Sequence, residues 1–169
     1  VARRLAAKPL FHAGLMVKTG DADAMVAGAA TTTARVIEAG MLTVGLVPDC
    51  RTPSSFFLML VPSAGGDPKS YIFADCAINA EPSPQELADI AIASAESARG
   101  LVDGEPRVAL LSFSTHGSAS HARVDKVRAA LEIVASLSTL VVSEVGHLQV
   151  RIGIATGLVV VSSAESAVG

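Results

Sequence analysis

The sequence predicts an α/β protein whose sheet is mixed, mostly parallel, and flanked by helices. Segments with the apolar pattern of strands alternate along the chain with segments of helical period, which is typical of such sheets. Residues 108–113 form an apolar run, VALLSF, which is typical of a strand buried on both faces. The two strands predicted within residues 55–75 form a hairpin, so the sheet is expected to contain an antiparallel pair.

The first fifty residues are expected to form a helix, a short strand and a second helix. Residues 1–19 have apolar members at helical spacing, and Pro9 either bends this helix or marks its first turn. Residues 24–29 are small and apolar and predict a short buried strand. The hydroxyl side chains of residues 31–33 then offer N-caps for a helix that extends to about Gly40.

Four further strand-forming segments are predicted, two in the hairpin and two near the end of the chain. The hairpin strands are residues 55–62 and 70–75, joined by a turn at 63–69. Residues 140–142 predict another short strand. Residues 150–162 predict either a last strand pair or one long strand.

The most clearly marked helix begins near residue 83. Ser83 is the expected N-cap, Pro84 the first helical position, and Glu86 completes a capping box. Gly100 and Gly104 mark the end of the helix and its loop. The face expected to point to the core consists of Leu87, Ile90, Ala91, Ser94, Ala95 and Ala98.

Composition and charge argue against several classes of function. The 169 residues suffice for one domain or slightly more, and half of them are apolar, so a sizeable aliphatic core is possible. The formal net charge is −3 and basic residues are not clustered, which disfavours nucleic acid and membrane surfaces as partners. Mean hydropathy is high at +0.50, but the longest apolar runs, 56–61 and 158–161, are far shorter than the ~20 residues of a spanning helix.

The start of the sequence and its two cysteines favour a cytoplasmic setting. The first residues lack the continuous apolar region of a signal peptide. They also lack an initiator Met, so a fragment or a processed product is expected. Cys50 and Cys76 have no metal-ligand spacing, and one possible disulfide is not a framework.

Thr31, Thr32 and Thr33 precede a predicted helix and form the first candidate site. A helix N-terminus exposes N–H groups and the positive end of the helix dipole, so it can hold an anion. The threonine hydroxyls would add donors for a phosphate there. The alternative is that these side chains only cap the helix.

A second candidate site is the loop at residues 114–120, which follows the apolar run 108–113 and precedes a helix predicted over 123–135. In an open α/β sheet, ligands bind at the carboxyl ends of strands, and small polar residues there can form a nest of donors for phosphate or a carbonyl oxygen. The loop lacks the lysine of a P-loop and the Gly-x-Ser-x-Gly of a nucleophile elbow. Such loops are also common as plain helix caps, so this alternative stays open.

Asp75, Cys76 and Asn79 follow the second strand of the predicted hairpin. Asp75 and Asn79 either orient a ligand or cap the turn that leads to Pro82. Cys76 would need a neighbouring base to act as a nucleophile, and the sequence around it has no histidine, which favours a small packing residue. His116 lies in the second candidate loop, and no histidine pair has metal-ligand spacing, so no metal site is expected.

Four stretches of the sequence resemble the phosphate acetyl/butyryl transferase family in the same order and spacing, over about residues 11–134. They are residues 16–40, 52–62, 73–99 and 106–134. The resemblance implies the isocitrate/isopropylmalate dehydrogenase-like fold, with two α/β domains and the site in the cleft between them. It also implies a homodimer that uses coenzyme A and phosphate or an acyl phosphate as substrates, with no bound cofactor and no metal at the reaction centre.

The same resemblance implies acyl transfer between coenzyme A and phosphate. A base removes the thiol proton of coenzyme A, the thiolate attacks the carbonyl of the acyl phosphate, and phosphate leaves. Donors near the carbonyl oxygen and the phosphate stabilise the charge that develops there. The residues assigned to substrate binding are Thr32, Thr33, Asp75, Asn79, Ser114, Thr115 and Ser118.

Three departures from the family pattern predict an incomplete site. Glu38 stands where these enzymes often carry an arginine. The serine–arginine–aspartate segment that carries catalysis in the family has no counterpart, so the catalytic residues are unassigned. The resemblance also fades after Val134. The alternative function is a non-catalytic regulatory or assembly module, like the related tail of some malic enzymes.

The resemblance divides the chain into three predicted parts. Residues 1–50 would end a first α/β domain, residues 51–145 would form a second, and residues 146–169 would be an atypical tail. Within this tail, residues 150–161 resemble a core strand of class III nucleotide cyclases. The metal-binding aspartates of those cyclases and their final asparagine and arginine have no counterpart here, which disfavours a cyclase. A plain β-strand and a chimeric reading frame are the alternative explanations.

Overall fold

The computed structural model describes residues 2–48, 50–102, 104–114 and 119–139, except the side chains of residues 138 and 139. The chain divides into two compact units, of which the first is Val1–Arg51 and the second begins at Thr52. The elements in the described ranges are α1 (Ala2–Ala6), α2 (Pro9–Thr19), α3 (Thr33–Thr43), β1 (Phe56–Ser63), β2 (Gly66–Ala74), α4 (Pro84–Leu101) and α5 (Ala122–Thr139).

The helix predicted over residues 1–19 is divided at Pro9 into α1 and α2. Lys8 has an extended backbone, and Pro9 lies in the first turn of α2, where its missing N–H removes no helical hydrogen bond. α2 ends at Gly20, whose φ of 82° lies in the left-handed region that glycine adopts without strain. Pro9 therefore marks a helix start and does not bend a longer helix.

The strand predicted over residues 24–29 is wrong. These residues have no regular secondary structure, and the side chain of Val26 is fully exposed. Gly28 and Ala29 both have positive φ angles, which lie outside the β region. Among the described residues of this unit there is no strand to pair with, so a short apolar run cannot form a ladder by its composition alone.

Helices α2 and α3 approach each other closely at Gly14. A Cβ at this position would lie 3.1 Å from the Cβ of Thr43, so glycine permits the contact. Thr43 Oγ1 donates a hydrogen bond to the carbonyl oxygen of Ala39 at 2.7 Å. Phe11 and Ala39 are buried in this unit. Helix α3 thus extends one turn beyond the end predicted at about Gly40.

Strands β1 and β2 form the predicted antiparallel hairpin, with Phe57 opposite Phe73. The register shifts between Val61 and Ser63, on either side of Pro62, which has no N–H to donate to a ladder. The turn is shorter than predicted because both strands continue into it. The hairpin is therefore confirmed, with displaced ends.

Helix α4 begins with the predicted capping box. The N–H of Glu86 donates to Ser83 Oγ at 3.3 Å, and the N–H of Ser83 donates to the Glu86 carboxylate at 2.8 Å. The bond from Ser83 holds the pKa of Glu86 below its ordinary value. Pro84 lies in the first turn, and the helix extends to Leu101.

Helix α5 packs against α4, and the two helices enclose the core of the second unit. The carboxylate of Glu81, which precedes α4, pairs with Arg123 at 3.4 Å and with Lys126 at 2.5 Å on α5. These exposed pairs connect the two helix starts. The buried core cluster consists of Ala88, Ala91, Leu110, Ala130 and Val134.

Residues 108–113 do not join a sheet in the described part of the chain. Val108 makes an isolated β-bridge, and Leu110 is buried in the α4–α5 core. The protein is mixed α/β, but the sheet formed by the described residues is the two-stranded antiparallel hairpin. The other predicted strands, 140–142 and 150–162, lie outside the described residues. None of the described helices combines the length and the apolar character that crossing a membrane requires.

Candidate functional site

Thr32 and Thr33 lie at the start of α3, as the sequence predicts. Thr32 is the N-cap residue with an extended backbone (φ −71°, ψ 152°), but its side chain makes no capping hydrogen bond. Its carbonyl oxygen accepts the first helical bond, from the N–H of Arg35 at 3.0 Å. Both threonines are exposed. The side-chain cap offered as the alternative is therefore not formed by Thr32.

Arg35 and Glu38 form an ion pair one turn further along α3, at 2.8 Å between Nη1 and Oε2. The sequence analysis considered only Glu38 at this position, where the family often carries an arginine. The pairing partly neutralises that carboxylate and places a guanidinium three residues after the N-cap. Arg35 could have been found from its position alone, since it follows Thr33 by two residues.

Ser114 is buried at the base of the second candidate loop, with 2% of its surface exposed. Its Oγ accepts a hydrogen bond from the N–H of Ala119 at 3.1 Å, and its own N–H donates to Ser112 Oγ at 3.2 Å. Ser114 therefore closes the loop across its two ends. Thr115 and Ser118, the other two candidates here, lie outside the described residues.

Asp75 is the centre of the densest polar network in the described second unit. Oδ1 accepts hydrogen bonds from the Ser55 hydroxyl, from the N–H of Ala77 at 2.9 Å and from the N–H of Ile78 at 3.1 Å. Oδ2 accepts from the N–H of Asn79 at 3.0 Å and from the side-chain amide of the same residue. Both carboxylate oxygens thus hold the loop that leaves β2.

Asn79 and Ser55 extend this network to the start of β1. Asn79 Nδ2 also donates to the carbonyl oxygen of Pro53 at 2.8 Å. Ser55 Oγ accepts from the N–H of Ala77 at 2.9 Å and from the thiol of Cys76 at 3.4 Å. The structure therefore brings Asp75 and Asn79 into direct contact and adds Ser55. The sequence analysis missed Ser55, because a serine before an apolar strand has no distinguishing pattern.

The surroundings of Asp75 favour its ionised form, in which both carboxylate oxygens accept hydrogen bonds. Burial raises its pKa, but the hydrogen bonds from Ser55, Ala77, Ile78 and Asn79 together outweigh burial and hold the pKa well below its ordinary value. A carboxylate in this state is a weak base at neutral pH. It is suited to fixing donors in place and poorly suited to accepting the proton of a thiol.

Cys76 lies beside the Asp75 network. Cys76 is half-buried, and its thiol donates to Ser55 Oγ, which is compatible with the packing role favoured by the sequence. Within the described ranges, no group of three or more His, Cys, Asp or Glu side chains could hold a metal ion.

Comparisons with known proteins identify relatives of this chain. A family model described as phosphate acetyl/butaryl transferase matches residues 1–159. The phosphate acetyltransferase of Thermoanaerobacterium thermosaccharolyticum is 47% identical over 129 residues, covering 76% of this chain and 39% of that protein. The phosphate acetyltransferase of Clostridium acetobutylicum is 46% identical over 126 residues, covering 74% of this chain and 38% of that protein.

A solved structure agrees with these sequence relatives. EutD phosphotransacetylase from Staphylococcus aureus superimposes with a TM-score of 0.68 at 32% identity, covering 87% of this chain and 41% of that chain. The family match extends beyond Val134, where the sequence analysis found the resemblance to this family to fade. It also includes most of residues 150–161, the segment that resembles a cyclase strand. The chain spans about two fifths of the length of these relatives. On this combined sequence and structural similarity, the chain belongs to the phosphate acetyl/butaryl transferase family.

Proposed function

We propose that this chain contributes to the transfer of an acyl group, acetyl or butyryl, between coenzyme A and phosphate. The observation that carries the proposal is the family match over residues 1–159. Identities of 46–47% to two phosphate acetyltransferases support the acetyl reaction in particular. Coenzyme A, phosphate and the acyl phosphate are the proposed substrates.

The proposed reaction needs donors for a phosphate and for a carbonyl oxygen. Thr32 and Thr33 would supply hydroxyls beside the N–H groups of the α3 N-terminus, a place that favours anions. Thr115 and Ser118 would supply donors from the second loop, whose ends Ser114 joins. As the thiolate forms its bond to the acyl carbon, the carbon–oxygen bond to phosphate breaks, and these donors would stabilise the charge on both groups.

Asp75 and Asn79 are proposed to shape the substrate-binding site through the loop that follows β2. Their mutual hydrogen bonds and those to Ser55 support a role in holding the loop after β2 in one conformation. A loop fixed in this way presents backbone groups to a ligand without a further loss of conformational entropy on binding. The base that removes the thiol proton remains unassigned within the chain.

The family architecture also suggests how this chain is divided into domains. Residues 1–50 would close one α/β domain and residues 51–145 would form most of a second, with a mostly parallel sheet of the isocitrate/isopropylmalate dehydrogenase-like type. Residues 146–169 would be an atypical tail. A cytoplasmic homodimer without nucleic acid, membrane or bound cofactor completes the proposal.

The second candidate function is a non-catalytic regulatory or assembly module. The observation that favours it is that the family's serine–arginine–aspartate segment finds no match within these 169 residues. A module of this kind would retain the fold and ligand contacts of the family but would not turn over substrate.

A test of activity separates the two functions. The 169-residue chain is incubated with acetyl phosphate and coenzyme A, and acetyl-CoA is monitored through its thioester bond. We expect little or no product, since no residues match the catalytic serine–arginine–aspartate segment and the loss of a positioned base alone costs about 10²–10⁴ in rate. Robust turnover would contradict the incomplete site and would confirm the acyltransferase activity.

Ligand binding tests the loop donors independently of turnover. Calorimetry with acetyl phosphate and with coenzyme A compares the chain with its Ser114→Ala, Ser118→Ala variant. Ser118→Ala is expected to weaken binding by about 1.5–3 kcal/mol through a lost hydrogen bond to a charged group. Ser114→Ala is expected to add to this loss indirectly, because it removes the bond that joins the loop ends. Ser97→Ala is the control, because Ser97 bonds only to the backbone of its own helix at 3.0 Å. Equal affinities in the chain and the double variant, or no binding by either, would overturn the assignment.

A further inference from the structure

His121 immediately precedes α5 and is the N-cap residue of that helix. Its Nδ1 accepts a hydrogen bond from the N–H of Arg123 at 3.1 Å. Its carbonyl oxygen accepts from the N–H groups of Val124 at 2.8 Å and Asp125 at 3.1 Å, which begin the helical ladder. A side-chain acceptor for the second N–H of a helix stabilises the helix start, because that N–H has no acceptor within the helix. An imidazole therefore holds a place that aspartate, asparagine, serine or threonine usually holds.

The same imidazole contacts the end of the apolar run 108–113. The ring centroids of His121 and Phe113 are 5.4 Å apart and the ring planes are inclined by 79°, an edge-to-face arrangement that aromatic rings favour. One residue further along, Ser114 Oγ accepts from the N–H of Ala119 at 3.1 Å. Two neighbouring contacts thus join the end of the run to the segment that begins α5, and one of them depends on the imidazole.

The cap bond requires a neutral imidazole. A neutral ring that carries its proton on Nε2 leaves a lone pair on Nδ1, whereas a protonated ring carries N–H groups at both positions. Protonation of His121 would therefore replace the acceptor by a donor that faces the N–H of Arg123. It would also place a positive charge at the positive end of the helix dipole. Both effects act against the cap.

The carboxylates near the start of α5 already have cationic partners. The ion pairs are those of Glu81 with Arg123 and Lys126 and that of Asp125 with Arg128. In the segment that leads to Phe113, the charged residues are Glu105 and Arg107, at least six positions before the ring. The face of Phe113 acts in the opposite direction, since an aromatic face attracts a cation, and its effect is therefore measured separately.

We propose that His121 is a proton-sensitive N-cap, which in its neutral form holds the start of α5 beside Phe113 and whose protonation releases the start of this helix. Histidine ordinarily changes charge between about pH 5 and pH 8. The contribution of the cap is complete while the imidazole is neutral and is lost as the pH falls through that range. Glu81 keeps its charge there, because its ion pair and hydrogen bond with Lys126 hold its pKa below the ordinary value. The proposal rests on these contacts and not on the proposed function.

The experiment follows the amide of Arg123 in the complete 169-residue chain by NMR. Its hydrogen exchange is measured from about pH 8 to about pH 5, the range in which histidine titrates, and each rate is divided by the intrinsic rate at that pH. Because this amide bonds to the imidazole, its protection reports the cap. We expect the protection to fall about fivefold in parallel with the titration of the His121 ring resonances, as for the loss of a side-chain N-cap.

Replacements of His121 separate capping from titration. His121→Asn retains a side-chain acceptor without a proton to gain in this range, so the protection of Arg123 should be similar at both ends of the range. His121→Ala should give low protection throughout. His12→Asn and His116→Asn are the controls and should behave as the parent chain. Phe113→Leu should retain the pH dependence, because the cap bond itself does not involve the Phe113 ring.

Three results would overturn the proposal. The first is equal protection of the Arg123 amide at both ends of the range in the parent chain. The second is a pH dependence that persists in His121→Asn, which would assign it to another group. The third is a pH dependence that disappears in His116→Asn or in Phe113→Leu, which would show that the cap bond of His121 does not determine it.

Discussion

Asp75 shows how a single carboxylate can organise a loop through its hydrogen bonds. Three backbone N–H groups, a hydroxyl and a side-chain amide all donate to it. These donors favour the ionised form, so the loop conformation and the charge of Asp75 depend on each other. The ionisation of Asp75 should therefore affect the free energy of unfolding of the second unit.

Replacement of Asp75 by asparagine is expected to lower stability and flatten its dependence on pH. The pKa of Asp75 is lower in the folded state than its ordinary value of 3.8, so its contribution is complete above that pH and decreases as the pH falls below it. At neutral pH, Asp75→Asn should cost about 1.5–3 kcal/mol, because bonds to a charged acceptor are weakened. Urea midpoints measured between pH 7 and pH 2 should fall less steeply in the variant than in the parent chain.

The control for this measurement is Asp67→Asn, at the exposed start of β2. It should leave both the stability at neutral pH and the slope below pH 4 close to those of the parent. Parallel curves for the parent chain and Asp75→Asn would show that the carboxylate does not hold the loop in the manner the hydrogen bonds indicate.

Site residues whose contacts are close in sequence could be predicted, whereas a residue with a distant contact was missed. Asp75 and Asn79 were predicted together because an aspartate and an asparagine after a strand favour a turn. Ser55 was missed because its contact with Asp75 is 20 residues away in sequence. The prediction for Ser114 was also incomplete, since the sequence analysis assigned it to substrate binding and did not foresee its buried bond to the N–H of Ala119.

At the scale of elements, the contact between α2 and α3 depends on a glycine that propensity alone would disfavour. Gly14 lies inside α2, where glycine costs about 1 kcal/mol relative to alanine. The approach of Thr43 explains its presence, because a methyl group there would overlap the threonine side chain. Tertiary packing therefore outweighs helix propensity at this position.

Two glycine-to-alanine variants are expected to have opposite effects. Gly14→Ala should destabilise the first unit by about 1–3 kcal/mol, since overpacking at Thr43 exceeds the gain in propensity. Gly40→Ala should stabilise it by up to ~1 kcal/mol, because no atom lies within 4 Å of the added Cβ. Thermal denaturation of both variants is the measurement.

Removing the obstacle at Thr43 provides the check. In a Thr43→Ala background, Gly14→Ala should lose most of its cost. A Gly14→Ala variant that is as stable as the parent would mean that the two helices separate at little expense, and the close contact would then contribute little to the unit.

The elements that were predicted correctly are those with local signals. The capping box of α4 involves residues three apart, and both of its hydrogen bonds are present. The hairpin follows from two apolar runs with a short turn between them. The strand predicted over residues 24–29 failed because a strand requires a partner, and partners are not encoded in a short run of small residues.

At the scale of the whole molecule, the hairpin exposes an extensive apolar surface on the described part of the chain. On the face where Phe57 opposes Phe73 and Met59 opposes Tyr71, each of these side chains is 40–59% exposed. The side chains on the other face of β1 are also exposed. Monomeric proteins rarely leave contiguous apolar patches of more than a few hundred Å² uncovered, so this surface favours association.

The mostly parallel sheet stays a prediction, because the described residues form the antiparallel hairpin as their sheet. An apolar run such as 108–113 indicates burial on both faces but does not identify its neighbours. In general, parallel strands are joined by crossover connections of a dozen or more residues, and no sequence period identifies such distant partners. The described structure accordingly contains the local hairpin of the predicted sheet and, at residue 108, a single bridge.

The exposed hairpin predicts concentration-dependent self-association of the 169-residue chain. Phe57→Lys combined with Phe73→Glu should reduce it, because the pair removes two half-exposed rings while an attractive cross-strand pair remains to support the hairpin. Val26→Lys serves as the control, since it removes an exposed apolar side chain far from the hairpin in sequence. Sedimentation velocity over a range of concentrations should show a smaller weight-average mass for the double variant and an unchanged one for the control. A parent chain that is monomeric throughout, or a double variant that associates as strongly, would mean that this face does not drive association.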